Sequence, residues 1–509
     1  MRLDLSNTPA LMLALLPEIV LTGWSLVLLL LVAWRHHSVR DLRLAGIVTL
    51  AAFVTTAGAV WWLWWNVTTV SGIPLMIGAD DFRFVAGFII LGAAAGTVFF
   101  SFDYLEREGM VTPEYYVLLV YAVLGLLLMV AGEDLMVIFL GLELLSVSVY
   151  VLAAFNRRSA KSAEAGIKYF LLGAFASAFL VYGIAFIYGA TGTTNLKIIG
   201  LQVATLGIAG HPLLLVGLGL LLVGFAFKVA AVPFHMWAPD AYDGAPTPVT
   251  GFMATAVKAA AVAALFRVLV EAFSAVPEWG TVVAGLAVAT MVVGNLVALS
   301  QRSLKRMLAY SSVAHAGYLL VAVRTGTAAG GSAALLYLAA YAATTLAGFA
   351  ILAAKGRHGE HDVLIDDLAG FASERPWLAF AMAVVMLSLL GFPGTAGFIG
   401  KWYILVAAVQ SGHATLAVIL VLTSVVSAGY YLPVIMAMYM RPEPYAGAHA
   451  AAGVGRWART ALIVAIAGLL YFGVRPNRLF ELTRTSGAAV HPASIGGPGE
   501  TGAAVSSGN

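Results

Sequence analysis

Cysteine is absent from the 509-residue sequence, and charged residues make up only 10% of it. Without thiols the chain can form no disulfide, no thiolate metal site and no cysteine-ligated iron–sulfur cluster. A soluble globular protein carries roughly a quarter charged residues, so the composition excludes a water-soluble enzyme and a disordered scaffold. The net charge of +3 is also too small for a protein that binds nucleic acid.

Apolar residues are abundant instead: 61% of the chain is hydrophobic, and the mean hydropathy is +0.93. A membrane-crossing helix requires about 20 mostly apolar residues. The pattern therefore predicts an all-α polytopic membrane protein with about 14 transmembrane helices. The expected spans are 9–34, 44–65, 82–101, 115–131, 134–155, 165–190, 213–239, 245–272, 279–300, 303–323, 331–354, 377–409, 414–440 and 457–474.

The loops between these spans differ in charge on the two sides. Placing Met1 outside puts more than twice as many lysines and arginines in the loops of the opposite side as on the Met1 side. Because short cytoplasmic loops are enriched in Lys and Arg, this orientation is the expected one. Both termini then lie on the outer side, and the Gly- and Ser-rich tail from residue 485 is expected to be mobile.

Charged residues also fall inside the apolar spans, where each costs about 3 kcal/mol at the bilayer centre. They must be paired, hydrated or neutralised, and a purely structural bundle would avoid them. Arginine hardly ever releases its proton, so Arg267 is expected to be structural, whereas Lys168 and Glu18 lie near span ends and can snorkel or cap. The full set is Lys168, Lys228, Lys258, Arg267, Lys401, Glu18 and Glu143, joined by His235 and His315.

A weak internal repeat relates two parts of the chain. The same spacing separates Tyr150 from Tyr318 and Tyr169 from Tyr337. Residue identity between the two parts is low, so the shared position of two helix breaks is the stronger argument for a repeat.

Those breaks are predicted at Pro233 and Pro393, each inside an apolar stretch too long for one plain span. Proline has no N–H, so the carbonyl group four residues earlier loses its helical partner. Lys228 precedes the first break and Lys401 follows the second. Interrupted helices in matching positions of two halves are typical of ion or substrate sites at the bilayer midplane.

Several runs of residues resemble the antiporter-like membrane subunits of respiratory complex I, the proton-translocating NADH-quinone oxidoreductase. The resemblance covers roughly residues 115–440, and its Lys-to-Trp run is highly specific. The runs are Gly141–Ser146, Phe227–Asp240, Gly244–Val249, Tyr310–Tyr318 and Gly391–Lys401.

The resemblance implies two inverted five-helix repeats, with the seventh and twelfth helices broken. It also implies that Glu143 pairs with Lys228, that Lys258 is the central relay and that Lys401 faces the exit side, with His235 and His315 along the hydrated axis. The implied organisation is helices 1–3 in 1–114, the first repeat (helices 4–8) in 115–272, the second (helices 9–13) in 279–440, a loop and helix 14 in 441–484, and a flexible tail in 485–509.

A membrane subunit that moves protons, driven by electron transfer from NADH to quinone in other subunits, is the implied function. The implied partners are the other membrane subunits of the complex, the lipid bilayer, protons and internal water. No cofactor or metal is expected in this chain, because FMN, the Fe–S clusters and the main quinone site belong to partner subunits. A bacterial plasma membrane is the implied location.

The expected mechanism is a switch between two states of a lysine. Burial favours the neutral form of an amine, whereas a nearby Glu143 favours the charged form of Lys228. Opening this pair is expected to pass the proton toward Lys258, with water and histidines as bridges. Two alternatives remain open: a subunit of an Mrp-type cation/proton antiporter, and a structural scaffold whose buried charges form inert pairs.

Overall fold

The computed structural model describes residues 8–35, 38–66, 76–355, 363–442 and 455–490. Within these ranges the chain is almost entirely helical, and β-structure is limited to isolated bridges. In chain order the α-helices are α1 (Thr8–Ala14), α2 (Leu16–Trp34), α3 (Val39–Asn66), α4 (Asp81–Arg107), α5 (Glu114–Ala131), α6 (Leu135–Ala153), α7 (Ala160–Thr191), α8 (Leu196–Leu206), α9 (Pro212–Val229), α10 (Trp237–Gly244), α11 (Thr247–Phe252), α12 (Lys258–Phe273), α13 (Glu278–Leu299), α14 (Leu304–Thr325), α15 (Ala328–Lys355), α16 (Phe371–Glu374), α17 (Pro376–Leu390), α18 (Ala396–Gln410), α19 (Ala414–Val426), α20 (Ala428–Met440), α21 (Arg456–Val474) and α22 (Asn477–Ala489).

The predicted fold class is confirmed: the chain is an all-α, multi-pass membrane protein. Twelve helices in the described ranges are long and apolar enough to cross a membrane. The two other expected spans are present as α14 and as the interrupted pair α17 and α18. The seventh span is also interrupted, between α9 and α10. The inverted relation of the two halves, and the division of the chain that follows from it, stay predictions.

One helical rod forms the centre of the bundle. All residues in the apolar, membrane-spanning part of Thr247–Phe273 are buried. Within it, a single π-helical turn at Met253–Val257 separates α11 from α12 and ends immediately before Lys258. Such one-turn π segments occur frequently at functional sites. Sequence analysis did not predict this turn.

Helices α4, α6 and α8 each start after a polar residue whose side chain accepts a hydrogen bond from the first turn of the helix. Asp80 accepts from the backbone N–H of Arg83 at 2.8 Å, and Asp134 accepts from that of Met136 at 2.8 Å. Caps of this kind satisfy N–H groups that have no partner within the helix. Antiparallel bridges between Ile77 and Gly132 and next to Asp134 hold the same end of the bundle together.

Three α-helices lie wholly outside the predicted spans: α8, the four-residue α16 and α22. The short α8 follows α7 and packs on the end of α12. The terminal α22 packs on α15 and α4 and extends to Ala489, so residues 485–489 form a docked helix where a mobile tail was expected. Residues 491–509, the rest of that tail, lie outside the described residues.

Candidate functional site

The break in the seventh span begins before its proline. Helix α9 ends at Val229, and Ala230 adopts a left-handed conformation with φ of 61°. The indole N–H of Trp237 donates to the carbonyl oxygen of Phe227 at 2.9 Å. The break predicted at Pro233 is therefore present, but it starts three residues earlier, because the chain already leaves the helix at Ala230. Pro233 lies in the non-helical segment that follows.

Lys228 lies in the last turn of α9, and its side chain is buried. Its ammonium group donates to the hydroxyl oxygen of Ser146 at 2.7 Å. The rings of Tyr150 and Tyr169 lie beside it, with centroids 5.8 and 5.6 Å from Nζ. A serine on α6 thus holds the first of the candidate lysines.

Glu143 lies one turn before Ser146 on the same face of α6. Its Oε1 atom is buried and has no hydrogen-bond partner among the described residues. Lys228 forms no ion pair within that part of the chain and donates to Ser146 instead. The pair implied by the family resemblance is therefore open in this structure.

Lys258 follows the π-helical turn and is only 2% exposed. Its ammonium group donates to the hydroxyl oxygen of Ser312 at 2.5 Å and to the carbonyl oxygen of the same residue. The ring of Tyr341 lies 5.6 Å from Nζ. Helix α14, which carries Ser312, therefore contacts the buried centre of the bundle at this lysine.

His315 lies one turn after Ser312 on α14 and is buried. Its two ring nitrogens contact two phenols: Nδ1 contacts the hydroxyl of Tyr337, and Nε2 lies 3.0 Å from the hydroxyl of Tyr431. An imidazole between two hydroxyl groups can accept a proton at one nitrogen and donate one at the other.

Lys401, on α18, binds the end of α17 across the second break. Its ammonium group donates to the carbonyl oxygens of Leu389 and Leu390, at 2.9 and 3.0 Å, and to the hydroxyl oxygen of Ser424 at 2.8 Å. Both carbonyls lie in the last turn of α17, where no helical partner is available. Leu389 is the residue whose carbonyl Pro393 was expected to free, and the lysine now satisfies it.

The second half of the site is continuous along one helix face. Ser312, His315 and Tyr318 are three residues apart on α14, so they form one row. Lys258 binds the first member of the row, and the ring of Tyr318 lies 4.8 Å from Lys401 Nζ. The row therefore links the central lysine to the lysine at the second break.

His235 lies in the segment between α9 and α10 and is half-buried, and its Nδ1 has no hydrogen-bond partner among the described residues. It is separate from the row on α14. Sequence analysis missed the serine and tyrosine partners, although Ser146, Ser312 and Tyr318 lie inside the runs that carry the family resemblance.

The other charges inside spans have pairing partners. Glu18 accepts two hydrogen bonds from the guanidinium group of Arg83, both at 2.8 Å, in a buried ion pair. Lys168 pairs at the surface with Glu164 and Asp240. Glu18 is therefore held in an internal ion pair and does not act as a cap, whereas the side chain of Lys168 reaches the surface.

Comparison with known proteins places this geometry in a family. A family profile described as "NADH:quinone oxidoreductase/Mrp antiporter, TM" matches residues 132–427. The protein "NADH-quinone oxidoreductase subunit N" of Trichlorobacter lovleyi is 45% identical over 477 residues, covering 92% of this chain and 96% of that protein. "NADH-quinone oxidoreductase subunit N 2" of Roseiflexus castenholzii is 44% identical, covering 91% and 94%.

Solved structures share the fold. A chain of respiratory complex I from Thermus thermophilus is 37% identical, covers 92% of this chain and 99% of its own length, and has a TM-score of 0.77. A chain of the Mrp complex from Dietzia sp. has a TM-score of 0.82 over 94% of this chain but only 21% identity, so it shows the fold alone. The chain therefore belongs to the NADH:quinone oxidoreductase/Mrp antiporter membrane family, and within it to the group of NADH-quinone oxidoreductase N subunits.

Proposed function

We propose that the chain translocates protons across the membrane as the N-type subunit of an NADH-quinone oxidoreductase. The observation that carries this proposal is the row of Ser312, His315 and Tyr318, which links two buried lysines. A row of hydroxyl and imidazole groups can exchange protons with an amine at either end. Nothing in the packing of an inert scaffold requires such a row.

The three lysines are buried deeply enough for their charge to be costly. Lys228, Lys258 and Lys401 are between 2% and 6% exposed. A charged group at this depth costs several kcal/mol after relaxation, about as much as a large fraction of a domain's stability. None of the three pairs with a carboxylate in the described part of the chain; each donates instead to a serine hydroxyl. Such amines are suited to gaining and losing a proton.

Glu143 is the proposed control element of the first half. When its carboxylate approaches Lys228, the charged amine is stabilised and retains its proton. When the pair is open, as in this structure, the amine is a better proton donor to Lys258. The unpartnered Oε1 of Glu143 supports this role, because a buried carboxylate oxygen without a donor is a costly arrangement that closing the pair relieves.

The proposed assembly follows the relatives' names. The chain acts with other membrane subunits of the complex, the lipid bilayer and internal water. NADH oxidation, FMN, the Fe–S clusters and the main quinone site are assigned to partner subunits, with no cofactor in this chain. The proposed location is a bacterial plasma membrane, with both termini on the outer side, as the distribution of basic loop residues favours.

An Mrp-type cation/proton antiporter is the weaker alternative. The fold does not separate the two, since both kinds of solved structure match over more than nine-tenths of the chain. Sequence identity does: 37% to the complex I chain against 21% to the Mrp chain. Comigration with a flavin-containing NADH dehydrogenase on native gels distinguishes the two assemblies directly.

The decisive experiment replaces Lys228 by alanine in the assembled complex. We expect normal assembly and a loss of NADH-driven proton movement in inverted vesicles. Lys168→Ala, a surface lysine with a side chain 43% exposed, is the matched control and is expected to pump normally. Normal pumping by an assembled Lys228→Ala complex would overturn the proposed function.

A further inference from the structure

A second cluster of buried charges lies around Arg267, at the opposite end of α12 from Lys258. Arg267 is fully buried, and its guanidinium group contacts two carboxylates. The Nη1 atom lies 2.7 Å from Asp80 Oδ2 and donates to Glu271 Oε1 at 3.0 Å, and Nη2 donates to Asp80 Oδ1 at 2.9 Å. Glu133 lies 3.9 Å from the same Nη1 atom.

The cluster contains one carboxylate more than its cations can pair. Glu133 is paired with Lys197 at 2.7 Å, and Arg83 is engaged by the buried Glu18. Arg267 is thus the cation available to both Asp80 and Glu271. Two ionised carboxylates on one buried cation leave an uncompensated charge, which burial strongly disfavours.

Hydrogen bonding shows which of the two carboxyls is the less stable anion. Asp80 accepts from both terminal nitrogens of Arg267 and from the backbone N–H of Arg83. Glu271 accepts one hydrogen bond through Oε1, while its Oε2 is buried and has no partner among the described residues. An oxygen without a donor is the natural place for a bound proton.

The cluster also extends to the solvent-exposed surface of the protein. The side chain of Lys197 is 55% exposed, and that of Asp80 is 16% exposed. A side chain at Gly78 would place its Cβ 2.6 Å from Glu133 Oε1 and 3.0 Å from Asp80 Oδ2, so glycine is what allows both carboxylates to lie against the backbone there. A proton at Glu271 therefore has a short polar path to the surface through Asp80, Glu133 and Lys197.

We propose that Glu271 is a proton-binding residue: a buried proton carrier between Lys258 and the aqueous surface at the far end of α12. It lies 13 residues after Lys258 on the same helix, a rise of about 20 Å out of a hydrocarbon layer of about 30 Å. Alanines fill most of the helix between Lys258 and Arg267, so this stretch carries little side-chain bulk. The proposal rests on the proposed function for its role in translocation, but not for the protonation of Glu271.

The test reads protonation and translocation separately in the assembled complex. Infrared difference spectra in H₂O and D₂O detect a protonated carboxyl without any turnover. We expect a carboxyl band at neutral pH that is lost in Glu271→Gln and kept in Glu278→Gln, an exposed glutamate at the same end of the bundle. Glu271→Gln is also expected to lose proton movement in vesicles, whereas Glu278→Gln retains it.

A second variant tests the reason for the bound proton. Asp80→Asn keeps a helix-capping side chain but removes the competing carboxylate, so Glu271 becomes the counter-ion of Arg267 and is expected to ionise. The carboxyl band should therefore also be lost in Asp80→Asn at the same pH. Persistence of the band in either Glu271→Gln or Asp80→Asn overturns the proposed protonation.

Proton pumping by the variants is the second readout of this test. If the band is lost but Glu271→Gln pumps protons normally while Lys228→Ala does not, the role of Glu271 as a carrier is overturned and the proposed function stands. If Lys228→Ala also pumps normally, the proposed function fails, whereas the infrared result on Glu271 is unaffected.

Discussion

The ammonium group of Lys228 lies 2.7 Å from the hydroxyl oxygen of Ser146, one helical turn beyond Glu143. This hydrogen bond, rather than an ion pair, holds the lysine in the open arrangement. We expect Ser146→Ala to remove this hydrogen bond. The charged form of Lys228 should then be less stable by about 1.5–3 kcal/mol, the usual range for a hydrogen bond to a charged group.

The measurement for Ser146→Ala is proton movement per NADH oxidised, which we expect to fall. Ser148→Ala is the matched control, because Ser148 is buried on the same helix but its hydroxyl donates to the carbonyl oxygen of Leu144 at 2.9 Å. Equal effects of the two variants would show that Ser146 acts only through helix packing.

Lys401 is expected to stabilise the second break as well as to carry a proton. Replacing it with alanine leaves the carbonyl oxygen of Leu389 without its donor and that of Leu390 with only the Ser424 hydroxyl at 3.2 Å, at about 1–3 kcal/mol for the unpaired Leu389 group. The apparent Tm of the purified complex should fall accordingly. Gln410→Ala, at the exposed end of the same helix, should leave the Tm unchanged; a similar loss in both would contradict the bridging role.

The buried pair Glu18 and Arg83 should be far more sensitive to substitution than a surface pair. Removing one partner of a buried pair costs about 3–5 kcal/mol because the other charge is stranded. Arg43 and Glu106, with side chains 56% and 38% exposed, should lose less than about 1 kcal/mol on Glu106→Gln. Thermal unfolding of Glu18→Gln and Glu106→Gln compares them directly, and equal Tm shifts would count against the buried pairing.

Asp240, at the start of α10, is expected to make the stability of the protein depend on pH. Burial acts to raise its pKa, but the hydrogen bond from Lys168 and the charges of Lys168 and Arg306 outweigh it, so the pKa lies below the ordinary 3.8. The contribution of Asp240 to stability is therefore complete above its ordinary pKa and is lost as the pH falls through its lowered value.

We expect the Tm of Asp240→Asn to depend less on pH than that of the unsubstituted protein between about pH 5 and about pH 3. Glu114→Gln, at the exposed start of α5, should keep the original slope. Identical slopes for Asp240→Asn and the unsubstituted protein would rule out the lowered pKa as a source of acid sensitivity.

Much of the architecture could be predicted from hydropathy, because a membrane span must be apolar over about 20 residues. The candidate lysines could be predicted for the same reason: Lys228 and Lys258 stand out where charge is costly. The partners could not. Serine is common in helices, and only the three-dimensional structure shows that Ser146, rather than Glu143, receives the hydrogen bond of Lys228.

Other structural features could not be predicted from the neighbouring amino-acid sequence. The π-helical turn at Met253–Val257 contains no glycine or proline to mark it. Glu18 and Arg83 are distant in sequence, so their pairing depends on how α2 and α4 meet. The first break was predicted, but its start at Ala230 was not, because alanine is the strongest helix former and gives no sign of the left-handed conformation that ends α9.

The serine beside each of the three buried lysines has a consequence for how the charge can change. A carboxylate partner would itself be stranded when the amine became neutral. A hydroxyl can turn about a single bond, presenting its lone pair to an ammonium ion or its hydrogen to the free electron pair of the neutral amine. The same neighbour can therefore bind the amine in both ionisation states, and exchanging the two roles needs only a rotation of the hydroxyl group.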